Sequence, residues 1–198
     1  MELRGIMRDV ELVMVPETFI GDYVVQLNNK NKDFIEGFIE LKGSSIANKK
    51  IILPIPELKL KQELVTNSEG IATVKAEVKK LNYWSPNEPH LYDVTLFAES
   101  DTLHDRIGFR TIRTEGQHIV LNDEDVFLKG ICIDEESPFD GNRAHTEEGA
   151  GQLLTWAKEL GCNYVRLAHY PHNEHMIRLA DQMLILVWAE IPVYWTIN

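Results

Sequence analysis

The residues able to do chemistry gather in the last third of the chain, between Gly161 and Trp195. Arg166, His169 and Tyr170 sit close together there, and Glu190, Tyr194 and Trp195 follow further on. An imidazole can donate to a hydroxyl that develops charge in a transition state. A guanidinium can hold a carboxylate, and Arg166 is expected to hold one, with Glu190 as its partner. Aromatic rings such as Tyr170 and Trp195 can stack on a ligand or pack at a site mouth. Taken on residue type alone, Asp134 and Glu190 are the two carboxylates that could form an acid–base pair on neighbouring strand ends. His172 and His175 stand three apart and are expected at the surface, a weak metal signal. Cys132 and Cys162 are expected to be buried free thiols, and no metal site is expected.

These residues need elements to position them, and the pattern supplies strand, helix, strand, helix, strand. Val126 to Ile131 reads as an apolar strand after a hairpin-like turn at Asn122 to Asp125. Thr146 is an N-cap type followed by Glu147 and Glu148, where the helix dipole favours acids. Ala150, Leu153, Leu154, Ala157 and Leu160 then recur on one face, and Gly161 ends that helix. Cys162 to Leu167 is a short strand. Asn173 caps a second helix whose apolar face is Met176, Ile177, Ala180, Met183 and Leu184. Ile185 to Ala189 is almost wholly apolar, as a strand buried on both faces should be. Such repetition makes a parallel sheet, and ligands bind at the C-terminal ends of its strands. Arg166, His169, Tyr170 and Glu190 all fall there.

The first half differs. From Gly21 to about Ile112 short strands succeed one another at Asp22–Leu27, Phe34–Leu41, Lys49–Leu53, Ala72–Val78 and Tyr92–Leu96, with turn clusters between. That spacing predicts a β-sandwich of immunoglobulin-like size, acting as scaffold. Tyr83 to Pro89 is an aromatic-anchored loop, and the boundary falls near Arg113 to Gly116. A net charge of −11 argues against a nucleic-acid partner. No apolar run approaches the roughly 20 residues of a membrane helix, so no membrane partner is expected. The opening residues lack a signal-peptide pattern, and compartment stays open.

With those residues in view, the chain resembles the family 2 glycoside hydrolases, which include β-galactosidases and β-glucuronidases. Residues 5–10 resemble the end of the family's sugar-binding jelly-roll domain. Trp84-Ser85-Pro86 with Pro89, Leu91 and Tyr92 is similar to a sandwich-domain loop, and Gly108-Phe109-Arg110 to that domain's last strand. Phe127 to Gly130 is similar to the first barrel strand. Asn163, Arg166, His169, Tyr170 and Pro171 match the most specific motif, on strand two. The resemblance implies a mixed architecture: residues 1–15 ending an upstream domain, an immunoglobulin-like β-sandwich over 16–113, and an incomplete (β/α)₈ barrel over 114–198. A full barrel needs about 250 residues, more than the 198 present.

The same resemblance implies a retaining glycosidase acting on β-linked sugars, whose two catalytic glutamates come from barrel strands beyond residue 198. No catalytic residue is then expected within the chain, and the chain alone is expected to be inactive. His169, Tyr170, Arg166, Asp134, Glu190 and Trp195 become candidates for sugar binding, with no cofactor and no metal. Asp134 departs from the family, which usually has His there, and so exchanges a donor for an acceptor-only anion. Gln182-Met183-Leu184 lacks the Gly that often ends this helix. The open sheet edge is expected to favour self-association. The alternative is a non-catalytic carbohydrate- or protein-binding β-sandwich module.

Overall fold

A computed structural model describes residues 10–99, 101–137, 139, 141 and 143–192. They form two compact units, one of residues 13–85 and 90–125, the other of residues 10–12, 86–89 and 126–192.

The first unit contains β1 (Thr18–Leu27), β2 (Phe34–Gly43), β3 (Lys50–Ile55), β4 (Leu60–Val65), β5 (Ile71–Glu77), β6 (Tyr92–Ala98) and β7 (Asp101–Ile107). They pair antiparallel in two sheets, ordered β1-β2-β5 and β4-β3-β6-β7. Period-two patterning places alternate side chains inside: Ala72, Val74 and Ala76 from β5, and Tyr92, Val94, Leu96 and Ala98 from β6. Ile35 and Ile39 of one sheet share a single core with Ile51, Leu53 and Leu96 of the other, so burial of apolar area holds the layers together. β3 continues through Pro54 to Ile55, beyond the stop expected at that proline. It pairs with β6 only at Ile51 and Ile52, so Pro54 has no ladder on that side to interrupt. β8 (Ile112–Glu115), β9 (His118–Leu121) and β10 (Glu124–Asp125) form a small antiparallel sheet in the same unit. Asn122 and Asp123, with φ of 53° and 75°, make the left-handed turn between β9 and β10.

The second unit is β11 (Gly130–Ile133), α1 (Glu147–Glu159), β12 (Tyr164–Leu167), α2 (Glu174–Gln182) and β13 (Leu186–Ala189). The three strands pair in parallel, in chain order. The first begins at Gly130 rather than Val126, and Phe127 is exposed. Ala150, Leu154 and Ala157 of α1 and Met176 and Ala180 of α2 are buried against Ile133, Val165 and Leu167. Three sequence expectations fail here. Ile177, expected on the apolar face of α2, is 37% exposed. Leu160 lies off the apolar face, exposed at the helix end. β13 turns Ile185 and Val187 to the helix-side core, while on its other face Leu186 is buried but Trp188 is 58% exposed, so that face is only partly covered. A run of apolar residues cannot by itself distinguish one covered face from two.

Both expected N-caps form. Thr146 Oγ1 accepts from Gly149 N at 3.1 Å, and Asn173 Oδ1 from His175 N at 2.9 Å. Thr146→Ala is therefore expected to cost about 1 kcal/mol, read as faster amide exchange along α1, and Thr146→Ser to restore most of it. An unchanged exchange rate in the alanine variant would contradict this.

Candidate functional site

The parallel register brings Cys132, Arg166 and Trp188 level with one another across β11, β12 and β13. Ile133, Val165, Leu167 and Val187 pack on the helices, so strand alternation turns Cys132, Tyr164, Arg166 and Trp188 to the opposite face. Two residues hold this arrangement. Asn163 Oδ1 accepts from Lys129 N at 2.8 Å, and Asn163 Nδ2 donates to Phe127 O at 2.9 Å. Its carbonyl accepts from Leu186 N at 2.9 Å, so one asparagine ties the starts of all three strands. Gly130 is the second: a Cβ there would collide with the Tyr164 ring and carbonyl. Tyr164 is desolvated by that packing, which pushes its phenol above its usual range.

At the C-terminal ends lies a cluster of three charged or titratable groups. Arg166 Nε donates to Glu190 Oε1 at 2.5 Å, and the second carboxylate oxygen lies 3.6 Å from His169 Nδ1. Arg166 also reaches Cys132 Sγ at 3.8 Å. The hydrogen bond from Arg166 holds the Glu190 carboxyl below the usual carboxylate range, with His169 adding to the effect. Glu190 is thus an anion near neutral pH, able to accept but not to donate. Because its folded pKa is depressed, the pair contributes to stability above the ordinary carboxylate pKa of about 4.3 and is lost as pH falls through the lower folded value. Arg166→Met is expected to move the Glu190 titration upward toward that ordinary range, measured by carboxyl ¹³C shifts. No movement would contradict the assignment.

Behind the cluster, the loop after β12 is packed rather than open. Arg143 donates from Nη1 to the Tyr170 hydroxyl and sits over the Tyr170 ring, 4.8 Å from its centroid. The Tyr170 ring also stacks on His172, with centroids 5.3 Å apart. His172 is 8% exposed, which overturns the expected surface position; Nε2–H donates to Ala168 O at 2.9 Å. Glu135, only 1% exposed, accepts from Asn173 N through Oε1 at 2.5 Å and so fixes the start of α2. His169 and Asp134 are exposed. Cys132 is exposed too, against the expectation of two buried thiols, while Cys162 is buried and both are free. Trp195, together with Tyr194, lies outside the described residues.

The structure therefore joins Arg166, Glu190 and His169, and gives Tyr170 a packing role against Arg143 and His172. Sequence reasoning missed Glu135, Arg143 and the inward burial of His172. The run Asp134-Glu135-Glu136 gives no signal of which acid is buried. For Glu135 the nearest signal was its place just after a strand end, opposite a helix start. Among the described residues, no three His, Cys, Asp or Glu side chains converge as a metal site. No described helix is long and apolar enough to cross a membrane.

Residues 19–110 match the family model for glycosyl hydrolases family 2, and residues 112–196 match the model for the TIM barrel domain of the same family. The chain is 28% identical over 182 residues to a β-galactosidase of Arthrobacter sp. strain B7, covering 91% of this chain and 17% of that protein. A β-galactosidase of Thermoanaerobacter pseudethanolicus is also 28% identical, over 95% of this chain and 27% of its own length. Among solved structures, a family 2 β-galacturonidase from Eisenbergiella tayi, bound to galacturonate, superposes with a TM-score of 0.72 at 29% identity. That match covers 89% of this chain and 33% of that one. The β-glucuronidase of Parabacteroides merdae is similar in fold, with a TM-score of 0.76 at 23% identity over 91% of this chain and 24% of its own. The chain thus spans a third or less of each of these relatives.

Proposed function

The chain belongs to glycoside hydrolase family 2, and we propose that it forms the scaffold sandwich and the first three barrel strands of a retaining enzyme acting on β-linked sugars. The observation that carries the reading is the cluster of Arg166, Glu190 and His169 at the C-terminal ends of parallel strands, the edge at which barrel enzymes bind ligand. In this reading Glu190 accepts a hydrogen bond from a sugar hydroxyl, His169 donates one, and Arg166 orients Glu190. Tyr170 shapes the loop that carries His169, and the exposed Asp134 accepts from a further hydroxyl. The alignments to β-galactosidases support a β-glycoside substrate class.

Retention requires one carboxyl as acid/base and a second about 5–5.5 Å away as nucleophile. Among the described strand-end acids, Glu190 is held ionised by Arg166, and Glu135 is buried against the start of α2. Neither suits the proton donor, and the exposed Asp134 after β11 is assigned in this reading to a sugar hydroxyl. By the resemblance to the family 2 glycosidases, the proposed catalytic pair comes from strands outside these residues, and this chain alone carries sugar contacts without turnover. The test is NMR of the histidine imidazoles during titration with galactose and glucuronate. His169 signals should move with either sugar and stay fixed in Glu190→Gln. Shifts spread evenly over all histidines, or none, would remove the assignment.

Self-association belongs to the same reading. Trp188, Phe127 and Ile191 are 58%, 79% and 72% exposed, and β11 and β13 leave unpaired sheet edges among the described strands. Light scattering should report oligomers, and a monodisperse monomer at high concentration would refute the idea.

A further inference from the structure

We propose that the outer face of the β1-β2-β5 sheet is a second, non-catalytic site that holds a neutral oligosaccharide. The register sets Val24, Phe38 and Thr73 in one row across the three strands, and Gln26, Glu36 and Lys75 in the next. Their strand neighbours Val25, Ile35, Ile39 and Val74 are buried in the core, so these rows face outward. They line an open cleft of about 600 Å³, within the roughly 300–1,000 Å³ typical of ligand sites.

The chemistry of the lining fits a pyranose better than other ligands. Phe34 and Phe38 of the central strand are half-buried; the Lys75 ammonium sits over the Phe34 ring, so Phe38 gives the flat apolar surface on which the C–H face of a sugar ring can rest. The Gln26 amide and Thr73 hydroxyl are exposed beside them and have no hydrogen-bond partner among the described residues. Each both donates and accepts, as sugar hydroxyls do. Charge narrows the choice. The Glu36 carboxylate accepts from Asn28 Nδ2 at 2.5 Å, and the Lys75 ammonium lies 5.8 Å from the Phe34 ring centroid. Being directly opposite in register, the two largely cancel, while the chain as a whole carries −11. A neutral chain suits this face, and a polyuronate or nucleic acid is repelled. The lining shares no residue with the strand-end cluster, and the proposal stands whether or not that cluster binds sugar.

The experiment is ¹H–¹⁵N NMR of the 198-residue chain titrated with cellotetraose and, separately, with tetragalacturonate. Cellotetraose should shift the amides of Gln26, Glu36 to Phe38 and Thr73 to Lys75 with a Kd of about 1 mM. Phe38→Ala should weaken that binding about tenfold. Gln26→Ala, at an exposed position that the fold does not need, should weaken it about threefold. Absence of these shifts up to about 20 mM sugar would overturn the proposal. So would tighter binding of tetragalacturonate, or unchanged binding in the folded Gln26→Ala variant.

Discussion

Trp84→Ala is expected to destabilise the sandwich unit by about 3–5 kcal/mol, the usual range for removing a fully buried Trp. Trp84 is 0% exposed and stands where the chain has no regular strand. Its backbone N–H donates to Phe109 O at 3.0 Å, and its carbonyl accepts from Asn122 Nδ2 at 3.0 Å. The Arg110 guanidinium sits 4.5 Å from the indole centroid, a cation–π contact partly shielded from water. A Cβ on Gly108 would come within 2.7 Å of the indole, so the backbone presses flat against the ring. Truncation thus opens a cavity, strips a cation of its partner face and loosens the segment from Gly108 to Asn122 at once. The midpoint of urea unfolding, followed by far-UV circular dichroism, should fall markedly with little change in slope. A shift of under about 1 kcal/mol would mean the indole is peripheral.

Gly130→Ala is the second large effect, expected at about 3 kcal/mol and confined to the parallel sheet. The atoms that a Cβ would strike are the Tyr164 ring and the Tyr164 carbonyl. The ring can swing, but the carbonyl belongs to β12, whose residues Tyr164 to Leu167 pair with both neighbouring strands. Relief requires the first two strands to separate at their start, where Asn163 ties them. Hydrogen exchange should accelerate across β11 and β12 and stay unchanged in the sandwich. The double variant Gly130→Ala/Tyr164→Ala should remain nearly as unstable, because the carbonyl clash survives.

How much of this was legible depended on whether a local rule decided the outcome. Thr146, Asn173 and Gly161 bound their helices as their residue types demand, since capping is settled within a few residues. The alternation in β5 and β6 was equally plain. β4 was not anticipated, because Lys61, Gln62 and Glu63 suit an exposed edge strand and carry no apolar signal. The sandwich's last strand, expected at Gly108 to Arg110, ends instead at Ile107 as β7. The pairing of Arg166 with Glu190 was foreseen from strand-end placement alone. The burial of His172 and Glu135 was not, because both depend on how the loops after β11 and β12 fold back, a long-range matter. Cys132 and Trp188 were misjudged for one reason: both lie on the sheet face that no described helix covers.

The most direct measurement is hydrolysis of p-nitrophenyl β-galactoside and p-nitrophenyl β-glucuronide by the 198-residue chain. The expected result is no release of nitrophenol above buffer. Turnover by the purified chain, abolished by Asp134→Asn or Glu190→Gln, would place the reactive acids within it and contradict the reading of these strands as a sugar-contacting but non-catalytic part of the barrel.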